Sequence, residues 1–582
     1  MTKSAVGRSR RQGLGEIWAP FLSCHFVCIV AVAVMVLTGL SGPAAVIAAP
    51  RIDRITVTID DIYTPAEVAG SRGPVRLVRR GMNALHVDTR ERIVRRELLF
   101  APGDTLDTAL LAETERNLRG LGYLTEVSVA AGDTLPGGGV EVTVRARETW
   151  SLQTQFAYAR ASSGEQRWNV ALEDENFLGF GTLLSVGVGR DEDRRSTSVG
   201  YRSRRLFGSR WRVGLAVSDL SDGHATTLAV EQPFYELADG WALEARAADQ
   251  ASAPRFFLSH AGPAGADPAA FASLWAAVPY AESWLRLTFL RRVAGARAGR
   301  VWRVGGGFLA DDIDYAATGP DLTLSDGRVV DDGFLFASGT PLQLDAEPRL
   351  GPLAVAQSVG RRWTKARYLL KYGAVEDVPL DPSFRVQAAW AARALGSARD
   401  AALLEWTASD WSRAAGGFLT LQAEGRAMFG AAAARMARVD AVAGWFGHGR
   451  AGLTRISAEG AWGDRLCGRE AFSLGLSRGL RTLGYDGMAG DRLARWNFEQ
   501  GWPLPYELLG FYNVGLAAFY AGGAAWWRGE PRGLGEARHE AGVGLRLGAT
   551  RAARAEVVRL DMAWSLDAGG GPVFTAVTGR FF

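Results

Sequence analysis

From Trp150 onward the chain repeats a two-residue period. Within 559–566, Arg559, Asp561, Ala563 and Ser565 share one face, while Leu560, Met562, Trp564 and Leu566 share the other. Around Leu419, the residues Thr420, Gln422, Glu424 and Arg426 oppose Leu419, Leu421, Ala423, Ala427 and Phe429. Arg210, Arg212 and Ser218 likewise oppose Trp211, Val213, Leu215 and Val217. Such alternation predicts strands whose two faces meet different solvents. A soluble β-sandwich also alternates, but its inner face is apolar. Charges on one face and bare aliphatic residues on the other fit a membrane barrel, where one face meets lipid and the other a watery lumen. Closure also satisfies every backbone group inside a bilayer. The prediction for 149–582 is therefore a transmembrane antiparallel β-barrel. The stretches 251–276 and 316–348, rich in small residues and turn formers, read as long excursions on the outer side.

Residues 50–148 follow another pattern. Ile52, Ile55 and Val57 mark a strand, and Asp88-Thr89 reads as the cap of a helix over 90–100. Pro102-Gly103-Asp104 breaks the chain, and Asp107 then caps a helix over 108–121 with Leu110, Leu111, Leu118 and Leu121 on one stripe. Gly122 ends it, and 126–129 with 140–144 read as a hairpin around Gly137-Gly138-Gly139. The order strand, helix, helix, strand, strand is that of a small α+β domain. A long insertion, near Pro65 to His86, separates the first strand from the first helix.

The first 48 residues resemble an export signal. Lys3, Arg8, Arg10 and Arg11 precede a charge-free run from Phe21 to Leu40, and Val46-Ile47-Ala48 is a small-residue cleavage end. The run is long enough to span a bilayer as an uncleaved anchor, but Gly39, Gly42 and Pro43 break it, favouring cleavage. Removal takes away those four basic residues and Glu16, leaving 62 Lys and Arg against 61 Asp and Glu. A chain so nearly neutral gives no reason to expect a nucleic-acid partner. Cys24 and Cys28 leave with the signal, so Cys467 stands alone and can form neither an internal disulfide nor a thiolate cluster. No cofactor or metal is expected.

Several motifs carry a resemblance. The run Arg96-Glu97-Leu98-Leu99-Phe100, Pro102-Gly103-Asp104, Arg116-Asn117-Leu118 and Leu121-Gly122-Tyr123 is similar to a POTRA domain, the periplasmic module of the BamA/TamA-type outer-membrane assembly superfamily. In the later part, Asn176-Phe177-Leu178-Gly179-Phe180-Gly181 resembles the tight turn after an early strand of that superfamily. Leu474-Gly475, Gly479-Leu480-Arg481, Gly490-Asp491-Arg492 and Asn497-Phe498-Glu499 resemble its sixth extracellular loop and the strand after it. Arg559-Leu560-Asp561 fits the penultimate strand, and Gly579-Arg580-Phe581-Phe582 the final strand, which ends in an aromatic residue read by assembly machinery.

The resemblance implies a barrel of about 16 strands, although counting alternating segments gives up to 19. It implies that Arg481 tucks into the lumen against acids on the wall, of which Glu499 matches one. Thr482 stands where the family has glycine, and Ala521 where a second acid is usual, so Arg481 either keeps one partner or borrows Asp491 or Asp561. It also implies a seam between the first and last strands, near 150–158 and 574–582, that templates an incoming strand. The expected partners are the outer-membrane bilayer, an unfolded client or passenger polypeptide, and a periplasmic or inner-membrane protein met through the POTRA-like domain. A single such domain suggests a narrower role than that of a general assembly factor.

Two other motifs point elsewhere. Gly475-Leu476-Ser477-Arg478-Gly479 fits the nucleophile elbow of hydrolases, which requires a following helix and a nearby histidine. Neither is evident, His539 being the sole histidine downstream. Gly447-His448-Gly449-Arg450-Ala451-Gly452 fits a dinucleotide fingerprint, but no helix pattern follows to receive a pyrophosphate, and a hairpin turn accounts for it. His86, His224 and His260 show no ligand spacing. The expected function is thus non-enzymatic: insertion of outer-membrane proteins or translocation of a passenger. The rival functions are a passive pore or surface protein and a hydrolase using Ser477.

Overall fold

The computed structural model describes residues 50–160, 166–257, 275–293, 299–315, 321–331, 348–430, 435–450, 452–466, 468–476, 478–529, 533–567 and 569–578. The signal-like segment, Cys467, Ser477, His260 and the motif Gly579 to Phe582 lie outside them, as do large parts of 251–276 and 316–348.

The N-terminal domain runs β1 (Ile52–Asp60), α1 (Pro65–Gly70), α2 (Gly73–Leu85), α3 (Glu91–Arg96), α4 (Thr108–Arg119), β2 (Leu124–Thr134) and β3 (Val140–Glu148). Its sheet has the order β1-β3-β2, with β1 parallel and β2 antiparallel to β3. The insertion after β1 forms the helices α1 and α2. α1 begins with a reciprocal cap, in which the Glu67 N–H donates to Thr64 Oγ1 (3.2 Å) and the Thr64 N–H to Glu67 Oε2 (2.7 Å). At α4, Asp107 Oδ1 accepts from the Ala109 N–H at 2.8 Å, as its sequence position predicts. α3 is shorter than the 90–100 helix read from the sequence, and Thr89 does not cap it. Thr89 instead bonds Glu148 and Asn176.

Val94, Leu118, Val142 and Val144 pack in the centre of this domain together with Ala553, which comes from the far end of the chain. Each fully buried aliphatic side chain of this kind contributes about 1.5–3 kcal/mol. The core is therefore shared between the N-terminal domain and a barrel turn.

Twenty strands, all antiparallel, then close into a barrel from Leu152–Arg160 to Val573–Thr578. This corrects the expected count of about 16. Strands such as Arg195–Ser203 and Arg212–Leu220 span nine residues each, and the strands Ala401–Ala414 and Gly417–Gly430 are joined by Ala415-Gly416 alone. Roughly nine residues suffice for a tilted strand to cross a bilayer. Short strands with two-residue turns leave little linker sequence, so more of them fit in the same length.

The two faces sort as the alternation predicts. Leu215, Val217, Leu419, Leu421, Met562 and Trp564 are exposed on the outside, whereas Arg559, Asp561 and Ala563 are buried on the inside. Among the described residues no helix is long and apolar enough to cross a membrane, a fact that does not bear on strands. The described ends of 251–276 and 316–348 belong to small hairpins, Arg255–Phe257 with Trp275–Ala277 and Asp321–Thr323 with Val329–Asp331. Both emerge at the barrel end away from the N-terminal domain.

At the opposite end, another hairpin, Trp363–Arg367 with Val375–Pro379, turns into the lumen. Its tip carries Tyr372, 1% exposed, packed on Leu453 and Val557. Gly548, on a facing strand, has no side chain where the Tyr372 ring lies.

Candidate functional site

The long loop between Gly452–Asp464 and Arg492–Leu508 folds back inside the barrel. Phe472, Leu474 and Leu480 are fully buried against Ala461, Leu493, Ala521 and Ala525 of the wall. Small alanines on the inner face give this loop its room. Gly490 has a steric reason to be glycine, since a Cβ there would run into the backbone of Trp526. Gly479 adopts φ +105 beneath the Arg495 guanidinium, a conformation that favours glycine.

This packing delivers Arg481 to two carboxylates. Its Nη1 donates to Glu540 Oε1 and its Nη2 to Asp561 Oδ2, both at 2.9 Å. All three side chains are almost fully buried. The guanidinium also lies 4.2 Å from the centre of the Phe519 ring. A fork of donors facing two acids from neighbouring strands fixes the loop in position as well as in charge.

The hydrogen bonds of Arg481 given above go to Glu540 and to Asp561, one of the alternatives left open for it, while Glu499 and Asp491 bond other arginines. Glu499 accepts from Arg455 Nη1 (3.1 Å), Arg546 Nη2 (2.8 Å) and Arg559 Nη2 (3.2 Å). Arg546 also donates to Asp561, so Glu499 joins the same buried network one step removed. Asp491 Oδ1 accepts from the Arg528 N–H at 2.7 Å and pairs with the Arg492 side chain, holding the base of the loop.

Sequence reasoning missed Glu540. On the strand Arg538–Ala549 its even positions read Glu540, Gly542, Gly544 and Arg546, opposite Val543, Leu545 and Leu547. That alternation marks Glu540 as facing the lumen. Thr482, noted as a departure from glycine, adds to the same contact: its N–H and Oγ1 donate to Glu540 Oε2 at 2.9 and 3.2 Å.

A second constellation lies where the N-terminal domain meets the barrel. Asn176 Nδ2 donates to Thr89 Oγ1 (2.8 Å), and Thr89 donates through its N–H and hydroxyl to the two oxygens of Glu148 (2.6 and 2.8 Å). Asn176 Oδ1 meanwhile accepts from the Gly181 N–H, closing the turn at 2.7 Å. Gly179 and Gly181 adopt φ +71 and +66, and a Cβ at either would strike Asp88 or the Tyr123 hydroxyl. The turn expected from Asn176, Gly179 and Gly181 is thus a docking joint as well as a reversal. Burial pushes the Tyr123 phenol up, keeping it neutral against the turn.

Charged pairs extend the joint. Arg119 makes a two-pronged contact with Asp377 of the inward hairpin (2.7 and 2.9 Å), and Lys365 of that hairpin reaches Glu115. Arg551 contacts Glu67 (3.1 Å) and Glu126 (2.8 Å). Burial pushes the Glu115 carboxyl up, but hydrogen bonds from Lys365 and Arg119 outweigh it and hold the group below its ordinary value. The same contest, with Thr64 and Arg551 opposing burial, lowers Glu67.

The other motifs fall in simpler places. Gly475 lies in the lumenal loop, where the Arg478 and Leu480 N–H groups bond back to its carbonyl in a turn. Gly447 and Gly449 end the strand Arg435–Gly449, and Gly452, paired with Gly449, begins the antiparallel strand Gly452–Asp464. His86 faces Glu148, His224 faces Asp249 and His539 faces Tyr520, each a local pair. Among the described residues no group of three or more His, Cys, Asp or Glu is placed to hold a metal ion.

No family model matches the chain. A protein of Treponema pallidum (strain Nichols) named as an outer membrane protein assembly factor is 27% identical over 139 residues, 22% of this chain. Over that stretch the chain is similar to an outer-membrane assembly factor. The match takes in 16% of that relative's own length. Its name agrees with the BamA/TamA-type resemblance and the outer-membrane location read from the motifs.

Similar solved structures include CdiB from Acinetobacter baumannii, at 11% identity and a TM-score of 0.43, with 92% of this chain and 74% of that one covered. BamA from Haemophilus ducreyi lacking POTRA domains 1–3 has 11% identity and a TM-score of 0.38, with 91% and 85% covered.

Proposed function

We propose that this chain is a BamA/TamA-type outer-membrane barrel that assists insertion of outer-membrane proteins or translocation of a passenger polypeptide. Its N-terminal domain serves as a single POTRA module in the periplasm, and the end carrying the loop of Arg481 faces outward. The role is non-enzymatic. The observation that carries this reading is the lumenal loop pinned by Arg481 between Glu540 and Asp561. A loop held by buried charge keeps the wall in one closed arrangement, from which the seam between first and last strands can be opened by a client. In the described ladder, Tyr158 stands opposite Ala576 across that seam. Exposed strand edges recruit other strands, and a POTRA sheet edge can receive an extended chain in the same way.

Depleting the protein tests the reading. Expected is a fall in one or a few outer-membrane proteins or secreted passengers; unchanged outer-membrane and secreted protein content would refute it. The second reading is a passive pore. Against it stand the inward hairpin carrying Tyr372 and the lumenal loop, which occupy the barrel from both ends. Planar-bilayer recordings of the purified chain are expected to show no stable open channel.

A further inference from the structure

Between α3 and the adjoining barrel rim lies a recess of about 510 Å³. Arg92, Arg96, Arg204 and Arg205 line it together with Phe177, Phe180 and Phe207, and Glu97 is its one carboxylate. Arg205 already holds both oxygens of Glu97, at 2.7 and 3.1 Å. Among the described residues Arg92, Arg96 and Arg204 form no ion pair, and Arg204 donates to the Gly120 carbonyl at 3.0 Å. The recess thus carries a surplus of positive charge. Burial, reinforced by the like charges of Arg202 and Arg212, pushes the Arg204 guanidinium down, an environment that an anion would relieve.

The apolar part is equally specific. Phe207 is 97% exposed at the tip of a turn with φ 51, a left-handed conformation that a bulky side chain rarely adopts. Gly208 follows it, and a Cβ there would strike the Arg96 guanidinium. Arg90 lies 3.9 Å from the centre of the Phe180 ring. Next to the recess the outer wall is apolar and exposed along Leu172, Val186, Val199 and Tyr201. Cations at the rim above a continuous apolar wall match an amphiphile with an anionic head. A bare aromatic girdle would need no such charge.

We propose that this recess binds the phosphate headgroup of an anionic phospholipid at the periplasmic rim, with the acyl chains lying along Val199 and Tyr201. Arg92 and Arg96 contact the phosphate, and Phe207 enters the chain region. The bound lipid would bridge the N-terminal domain and the barrel beside the Asn176 turn. The proposal rests on the reading that the apolar outer face lies in a bilayer.

The test uses the full chain reconstituted in phosphatidylcholine nanodiscs containing a minor fraction of phosphatidylglycerol, then extracted in mild detergent. Co-purifying lipid is measured by mass spectrometry, and heat-modifiable gel migration verifies that each variant is folded. Two surface arginines, at about 1 kcal/mol each, predict roughly thirtyfold enrichment of phosphatidylglycerol over its bulk ratio for the unaltered protein. Arg92→Ala with Arg96→Ala should abolish the enrichment, Arg92→Lys with Arg96→Lys should keep most of it, and Phe207→Ser should lower retention of both lipids. No enrichment by the unaltered protein, or equal enrichment by the folded alanine variant, overturns the site while leaving the barrel reading intact. Failure of the unaltered chain to insert into nanodiscs of either composition would overturn the membrane reading with it.

Discussion

Glu540 lies directly opposite Ala521 across the ladder between Arg538–Ala549 and Tyr512–Trp526. The acid expected on one strand is thus supplied from its neighbour, at the same height in the barrel. Ala521, 1% exposed, leaves space for the loop that carries Arg481.

This relocation predicts a rescue. Glu540→Ala removes one of the two carboxylates that Arg481 bonds, and breaking a buried ion pair costs about 3–5 kcal/mol. The thermal unfolding of the barrel should fall accordingly, and the loop should become open to protease. Adding Ala521→Glu to the Glu540→Ala variant should restore much of the loss. Ala521→Glu alone should destabilise, because it places two carboxylates opposite each other. Equal instability of the single and double variants in a thermal melt would refute the relocation.

Ala553 provides the test of docking. It sits fully buried in the core of the N-terminal domain although it belongs to a barrel turn. Ala553→Asp puts an unpaired charge in that core, a change expected to cost several kcal/mol. The barrel itself should still form, since its ladder does not pass through Ala553. Limited proteolysis should then cut the connection near Thr149, which is buried in the native protein. An unchanged digestion pattern would contradict the shared core.

Acid should weaken the same joint. Glu115 and Glu67 have depressed carboxyl pKa values in the folded state and contact Lys365 and Arg551. Their contribution is present above the unfolded value, ordinarily 4.5, and is lost as pH falls through the folded values. Glu113, pushed up by burial, has the opposite sign, favouring the folded state at low pH and losing that effect as pH rises. Proteolytic release of the domain should therefore increase as pH drops below the ordinary carboxylate value, and Glu115→Gln should shrink that increase. A release that is flat with pH would exclude these two carboxylates.

Much of the fold is legible in local pattern. Period-two alternation gives the lipid-facing and lumenal sides of 559–566 without any knowledge of neighbours. The number of strands is less legible: counting alternating segments reached 19 against the barrel's twenty, nearer than the 16 implied by the resemblance, but pattern alone does not separate barrel strands from loop hairpins such as Asp321–Thr323 with Val329–Asp331. The α1 helix did have a signal, Thr64-Pro65-Ala66-Glu67, a capping box with proline at the first turn. Arg481 could be singled out from its loop, but its partners could not. Which acid faces it depends on register between strands, and register is a property of the sheet. Thr89 shows the same limit: it has the chemistry of a cap, yet Glu148 and Asn176, distant in sequence, claim its hydrogen bonds.

Opening of the seam between the first and last barrel strands is the step on which the proposed function depends. Tyr158→Cys with Ala576→Cys places two thiols opposite each other across it, at a separation that a disulfide can bridge. The decisive measurement is client insertion or passenger release in reconstituted vesicles, with the pair oxidised and then reduced. The account predicts activity lost on oxidation, recovered with reductant, and unchanged barrel folding throughout. Full activity with the seam covalently closed would contradict it.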